Sequence, residues 1–188
     1  MNLVQPIRDL EKIQEVATIL KKGSFRDYFL FVMGTQTGLR ISDLLKLRVR
    51  DIRNRTHVSI IEKKTKKPKR FLLSPSVRVI INDYIEEMKD DDYLFQSRKG
   101  SNQPILRQRA YAILNEAAKK AGLEEIGTHT LRKTFGYHFY QRKKDVAMLQ
   151  QLFNHSAPSI TLKYIGITQD LQDKALEDFD IVDWSNVH

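Results

Sequence analysis

Apolar side chains recur at three- and four-residue steps over most of this 188-residue chain, which is the period of a helix with one buried face. Leu10, Ile13, Ala17 and Leu20 predict a helix over residues 9–22. Ser24 caps a second, in which Tyr28, Phe29, Phe31, Val32 and Thr35 are apolar nearly all round and Gly38 is the stop; such a helix belongs in the core. Ser42 begins a short helix of leucines. The period then changes: His57–Ile61 alternates in the β-branched manner of a strand, and Arg70–Leu73 reads as its return. Further helices follow from Ser74-Pro75, from Leu106 to Ala121, from Thr128 as a cap, and over Val146, Leu149, Leu152 and Phe153. Near the end, Ser156 as N-cap and Pro158 in the first turn predict a short helix carrying Tyr164. The pattern as a whole predicts a fold that is mainly α with a small antiparallel β-sheet (α+β). One domain should cover residues 1–169, and an acidic helical tail residues 170–188.

Composition narrows the class. The chain is 41% hydrophobic and has no cysteine, so neither a disulfide framework nor a thiolate metal site is available. No apolar run is long enough to span a bilayer and the N-terminus has no secretory apolar stretch, so a cytoplasmic protein without a membrane role is expected. Charge changes the picture more. The formal net charge is +9, and because residues 170–188 hold six acidic side chains against one lysine, residues 1–169 carry +14. A body this basic points to a polyanionic partner, nucleic acid first.

The candidate chemistry lies in polar residues that apolar helices deliver. Arg40 follows the Thr37-Gly38-Leu39 turn between two helices; its planar guanidinium suits phosphate oxygens, and an ion pair with Asp43 is the equal alternative. Six of the eight residues from Lys63 to Arg70 are basic, on the expected hairpin. His129, Arg132 and Gly136 share a helix face near its positive end. His155 and Tyr164 stand nine residues apart. Two arginines, two histidines, a lysine and a tyrosine, without paired carboxylates or a glycine-rich phosphate loop, suit attack on a phosphodiester. A metal-dependent nuclease fits poorly, since His57, His138 and His188 have no ligand spacing with carboxylates.

In this order the motifs resemble the catalytic domain of the tyrosine recombinase (phage integrase) family. Thr37-Gly38-Leu39-Arg40 with Ser42-Asp43-Leu44 is similar to its first arginine motif, Lys64-Thr65 to its hairpin lysine, His129-Thr130-Leu131-Arg132 to its histidine-x-x-arginine motif, and His155 with Tyr164 to its last histidine and nucleophile. Lys66, Lys67 and Lys69 are further candidates for the hairpin role. The departures are Leu72 where family hairpins often carry proline, and Phe153-Asn154-His155 where Leu-Gly-His is usual. No N-terminal core-binding domain precedes these motifs, so either an excised catalytic domain or a short form is expected.

The resemblance implies DNA integration or site-specific DNA recombination through a 3′-phosphotyrosyl intermediate, without metal, ATP or cofactor. It makes Tyr164 the nucleophile, Lys64 the acid for the leaving 5′ oxygen, Arg40, Arg132 and His155 the stabilisers of charge, and His129 an aid to proton movement. Double-stranded DNA is the expected substrate, held by Lys63, Lys66, Lys67, Lys69, Arg70, Arg98, Lys99 and Lys133, with a homo-oligomer, a tetramer, on paired sites. The alternatives are strand passage of the type IB topoisomerase kind and a catalytically silent DNA-binding protein of the same fold. The tail, with Leu171, Ala175 and Leu176 on one side and Phe179, Ile181, Val182 and Trp184 beyond, docks either on a neighbouring subunit or on its own domain.

Overall fold

A computed structural model describes residues 4–61, 66, 68–124, 126–127, 129–177 and 179 of the chain. Helix α1 (Leu10–Gly23) starts where the Asp9 carboxylate accepts the Glu11 N–H, which supplies one of the donors a helix start leaves open. Leu10, expected on the buried face, is exposed; Val16 and Leu20 are the residues α1 buries. Helix α2 (Phe25–Thr37) buries Phe29, Leu30, Phe31 and Met33 and packs against α1. It ends at Gly38 in the left-handed region, φ 62°, as glycine allows. The next helix, α3 (Ile41–Leu44), is one turn long with Arg40, not Ser42, at its cap.

The sheet is one antiparallel hairpin, β1 (His57–Ile61) with β2 (Pro68–Leu72), in register from His57 opposite Leu72 to Ile61 opposite Pro68. The return strand thus starts two residues before the stretch that alternation alone marked. Ser74 then accepts the Val77 N–H and Pro75 opens α4 (Pro75–Ile85), with proline where its missing N–H is harmless. Tyr93 and Gln96 make isolated bridges to Arg48 and Pro104, with a turn at Leu94 and Phe95 between them. Here the Phe29 ring stacks on Tyr84 at 4.3 Å and on Phe95 at 5.7 Å, at the centre of the main core.

Helix α5 (Arg107–Lys120) and α6 (Thr130–Lys143) follow, α5 against α1 and α6 against α2. Thr128, expected as the cap of α6, lies outside the described residues; His129 holds the N-cap position. The last three helices, α7 (Val146–Phe153), α8 (Pro158–Tyr164) and α9 (Ile167–Glu177), pack in succession on one another, with α7 also touching α6. They enclose a second, small apolar cluster of Leu149, Phe153, Ile165 and Ile167. The N-cap of α8 is Ala157, φ −150° and ψ 152°, and not Ser156. Pro158 explains the shift: it drives the residue before it to extended backbone, which is what an N-cap requires. Helix α9 crosses the boundary expected at residue 169.

Candidate active site

Helix α6 joins the two clusters, with Leu131 in the main core and Phe135 packed on the small one. Arg132 lies between them, only 2% exposed. Its Nη1 donates to Gly38 O at 2.7 Å and its Nη2 to Phe153 O at 3.0 Å, while its Cζ stands 4.1 Å from the centre of the Phe153 ring. One guanidinium therefore fastens the turn that bears Arg40 to the end of α7. The local sequence is shaped for this approach. A Cβ on Gly38 would fall 2.4 Å from the Phe135 ring, and one on Gly136 would fall 2.7 Å from Ile165 and 2.8 Å from Phe153; side chains there would push α6 away from both partners.

Tyr164 ends α8, half-buried. Its hydroxyl stands 3.4 Å from Nδ1 of His129, its ring meets the His155 ring edge-on at 5.1 Å and the Phe153 ring at 5.6 Å, and Lys133 Nζ sits 5.2 Å over its face. His155 is oriented by Nδ1···Oγ1 contact with the buried Thr161 at 3.0 Å, and the chain enters it through Asn154, left-handed at φ 58°. Asparagine tolerates that conformation better than other residues with a Cβ, so this turn keeps its shape without glycine.

The electrostatics of the pair are opposed. Burial pushes the Tyr164 pKa above its usual 10.0, and Arg132, by charge and hydrogen bond, together with Arg40, pulls it back in part. Desolvation on its protein side holds the His129 pKa below its usual 6.5, helped by Arg107, Lys133, Arg132 and Arg40. At neutral pH the pair is a protonated phenol beside a neutral imidazole, with cations around both. In the tautomer that carries the imidazole proton on Nε2, this is a proton donor facing an acceptor at Nδ1.

Arg40, His129, Arg132, His155 and Tyr164 thus converge, although they come from four separate stretches of chain. Lys64, with Lys63 and Lys67, lies outside the described residues. The expected DNA-contacting cations divide. Lys66 and Arg70 are exposed on the hairpin, Arg70 beside His57 with 3.0 Å between Nη2 and Nδ1. Lys69 instead donates to Gln151 O at 2.9 Å and to Leu152 O, placing positive charge at the C-terminal, electronegative end of α7. Arg98 and Lys99 are exposed beside a different cleft of about 830 Å³, shared with Arg26 and Arg109. Lys133 is not an outward cation: it is 6% exposed and donates to Val4 O at 2.6 Å, and the desolvation lowers its pKa. Helical periodicity gave no sign of this, because a lysine between Arg132 and Thr134 reads as solvated. Phe153 and Thr161 also escaped the sequence reading as site residues, since both look like ordinary packing. Among the described residues no three His, Asp or Glu side chains gather as a metal site, and no helix is long and apolar enough to cross a membrane.

The chain is similar in sequence and in fold to known proteins. The profile of the phage integrase family matches residues 8–170. The chain is 56% identical over 170 residues to the probable integrase/recombinase YoeC of Bacillus subtilis (strain 168), covering 90% of this chain and 93% of that one. It is 27% identical to the tyrosine recombinase XerA of Pyrococcus furiosus, covering 89% of this chain but 59% of the longer relative. In fold it is similar to the XerH site-specific recombinase bound to difH substrate in a pre-cleavage complex, with TM-score 0.71, 19% identity, and coverage of 96% of this chain and 56% of that one. The chain belongs to the phage integrase family.

Proposed function

We propose that this chain cuts and rejoins duplex DNA at specific sites, as a site-specific recombinase or integrase, through a phosphotyrosyl link on Tyr164. The observation that carries the proposal is the Tyr164 hydroxyl set 3.4 Å from a neutral His129 imidazole, with Arg132 and Arg40 biasing both groups. Tyr164 Oη attacks the scissile phosphorus while its proton passes toward His129. The P–O bond to the 5′ oxygen breaks, and that oxygen takes a proton from Lys64, leaving a 3′-phosphotyrosyl link and a free 5′ hydroxyl. Arg40, Arg132 and His155 offset the charge that develops on the non-bridging oxygens. The covalent link keeps the energy of the broken ester, so a second 5′ hydroxyl can reverse the step with neither ATP nor metal. Phosphate neutralisation by the exposed hairpin cations Lys66 and Arg70, with Arg98 and Lys99, supports DNA as the substrate. The exposed apolar side chains Leu171, Leu176 and Phe179 of the tail support docking on a neighbouring subunit in a tetramer on paired sites. The same machinery would serve relaxation of the topoisomerase kind; activity only on DNA with paired sites separates the two.

The test is a duplex nicked close to the scissile position, so that the cut fragment diffuses away and the adduct persists. Wild type is expected to run as a protein–DNA adduct on a denaturing gel. Tyr164→Phe, which removes one hydroxyl and no charge, is expected to form none while binding DNA within about twofold of wild type, far less than the tenfold that 1.4 kcal/mol represents. Adduct yield is expected to be unchanged in EDTA, and loss in EDTA with recovery in magnesium would overturn the metal-free route.

A further inference from the structure

Residues 4–8 make no regular structure, yet they are tied at six points to α6 and to the turn and helix that follow Tyr164. Val4 O accepts from Lys133 Nζ at 2.6 Å, and Lys133 in turn lies over the Tyr164 ring. Ile7 N–H donates to Thr134 Oγ1 at 2.9 Å and Ile7 O meets His138 Nε2 at 2.9 Å, with the Ile7 side chain in the main core. Thr134 and His138 lie one turn apart on α6, so the segment runs along that helix. Arg8 then reaches the turn and helix that follow the nucleophile. Its Nη1 pairs with Asp170 of α9 at 2.5 Å, its Nη2 donates to Gly166 O at 3.3 Å, and its guanidinium stacks 5.3 Å over Tyr137. Gly166 lies two residues past Tyr164, and a Cβ on it would stand 3.2 Å from both Arg8 Nη2 and Gln5 Oε1.

These contacts bracket Tyr164. Lys133 holds its ring from α6, with Val4 O fixing the lysine, and Arg8 holds the backbone that leaves it. We infer that residues 4–8 form a strap that sets the position of the nucleophile, with Arg8 as its positioning residue, acting through Gly166 and Asp170 on Tyr164. Arg8 touches neither DNA nor the reacting atoms in this account, which rests on the phosphotyrosyl reading above. The need for such a strap follows from the apolar cluster beneath α8 and α9: with four fully buried side chains and a partly buried rim, it resists local opening less than the main core does. The reaction tolerates little of that, because a displacement of about 1 Å at a nucleophile can cost roughly a hundredfold in rate. Arginine meets the requirement where lysine does not, since one rigid fork reaches a carboxylate and a carbonyl together.

The test compares wild type with Arg8→Ala, Arg8→Lys and the exchange Arg8→Asp with Asp170→Arg, by hydrogen exchange and by adduct formation on the nicked duplex. In Arg8→Ala, amide exchange over residues 158–170 is expected to quicken by about tenfold or more, as for loss of an interaction of about 1.4 kcal/mol, while α2 and α4 keep their wild-type protection. Adduct formation is expected to slow by about 10- to 100-fold, with DNA affinity unchanged. Arg8→Lys is expected to recover part of the rate, and the exchanged pair more of it than Arg8→Asp alone. Unchanged exchange over 158–170 in Arg8→Ala overturns the strap. So does quicker exchange with a wild-type adduct rate, which would leave Arg8 a packing residue only. If wild type itself forms no adduct on any nicked duplex, the recombinase reading fails, and the exchange measurement still decides whether Arg8 holds the Tyr164 segment.

Discussion

Arg40 and Arg132 are delivered by elements that reach the main core, where α2 alone buries Phe29, Leu30, Phe31 and Met33. Tyr164 and His155 stand over the smaller cluster of Leu149, Phe153, Ile165 and Ile167. Burial of a large apolar side chain contributes about 1.5–3 kcal/mol, so the two regions differ greatly in what resists their opening. The difference matches what the proposed reaction asks of each half. Guanidinium groups that offset developing charge act best when nothing about them moves during the reaction. A nucleophile must approach a phosphate, become attached to it, and later leave. Placing it on a thin layer of packing allows that motion, at the cost of needing separate means of aim.

The largest effect on this comparison is expected from Arg132, which belongs to both regions. Arg132→Ala should reduce the rate of adduct formation by about 10²- to 10³-fold, the usual result of removing one stabilising donor. It should also lower unfolding stability by about 1–3 kcal/mol, because Gly38 O and Phe153 O lose their donors while buried. Denaturant titration and single-turnover adduct kinetics read the two quantities separately. A wild-type rate in a folded variant would remove Arg132 from the chemistry.

Paired truncations sharpen the contrast next. Leu30→Ala, in the main core, should cost about 2–5 kcal/mol and quicken amide exchange throughout the domain, since that core holds the whole unit together. Phe153→Ala should cost about 3–5 kcal/mol, but with the exchange confined to residues 146–177 and α2 still protected. If both variants open the same residues, the two clusters form one cooperative unit and the contrast drawn above is wrong.

The smallest effect is in the pH profile. On the proposed reading His129 takes the tyrosine proton only when neutral, and desolvation with the surrounding cations holds its pKa below the usual 6.5. The rate should therefore hold steady as pH falls to 6.5 and decline only below it, by about tenfold per unit once the imidazole is mostly charged. In His129→Gln that acid limb should disappear. A wild-type limb centred above 6.5 would mean that the surrounding cations do not govern His129 and that another group accepts the proton.

Most helices were legible because burial on one face leaves a period in the sequence; α2, α4, α5 and α7 follow theirs closely, while α1 buries Val16 and exposes Leu10. The hairpin was legible from alternation. Less of the site could be read. Nothing in the sequence distinguishes Lys133, buried against Tyr164, from a solvated lysine one position away, because the cause is Val4 O, 129 residues distant in the chain. The strap was invisible for the same reason: residues 4–8 carry no period and their partners lie on α6 and α9. Lys69 looked like one more hairpin cation until its ammonium was found at the end of α7. Ser156 is a better intrinsic cap than Ala157, and the proline after Ala157 overrode that preference by its steric demand on the backbone.

The fork of Arg132 has a consequence for the chain before it is fully folded. Its two carbonyl partners, Gly38 O and Phe153 O, lie 115 residues apart in sequence. A molecule whose last helices have not yet joined already owns the basic hairpin and the N-terminal helices, and so can meet DNA. It has neither Tyr164 in place nor the second carbonyl that orients Arg132. On the proposed reading, an incomplete chain would therefore hold DNA without nicking it, and breakage would wait for a molecule that is also able to reseal.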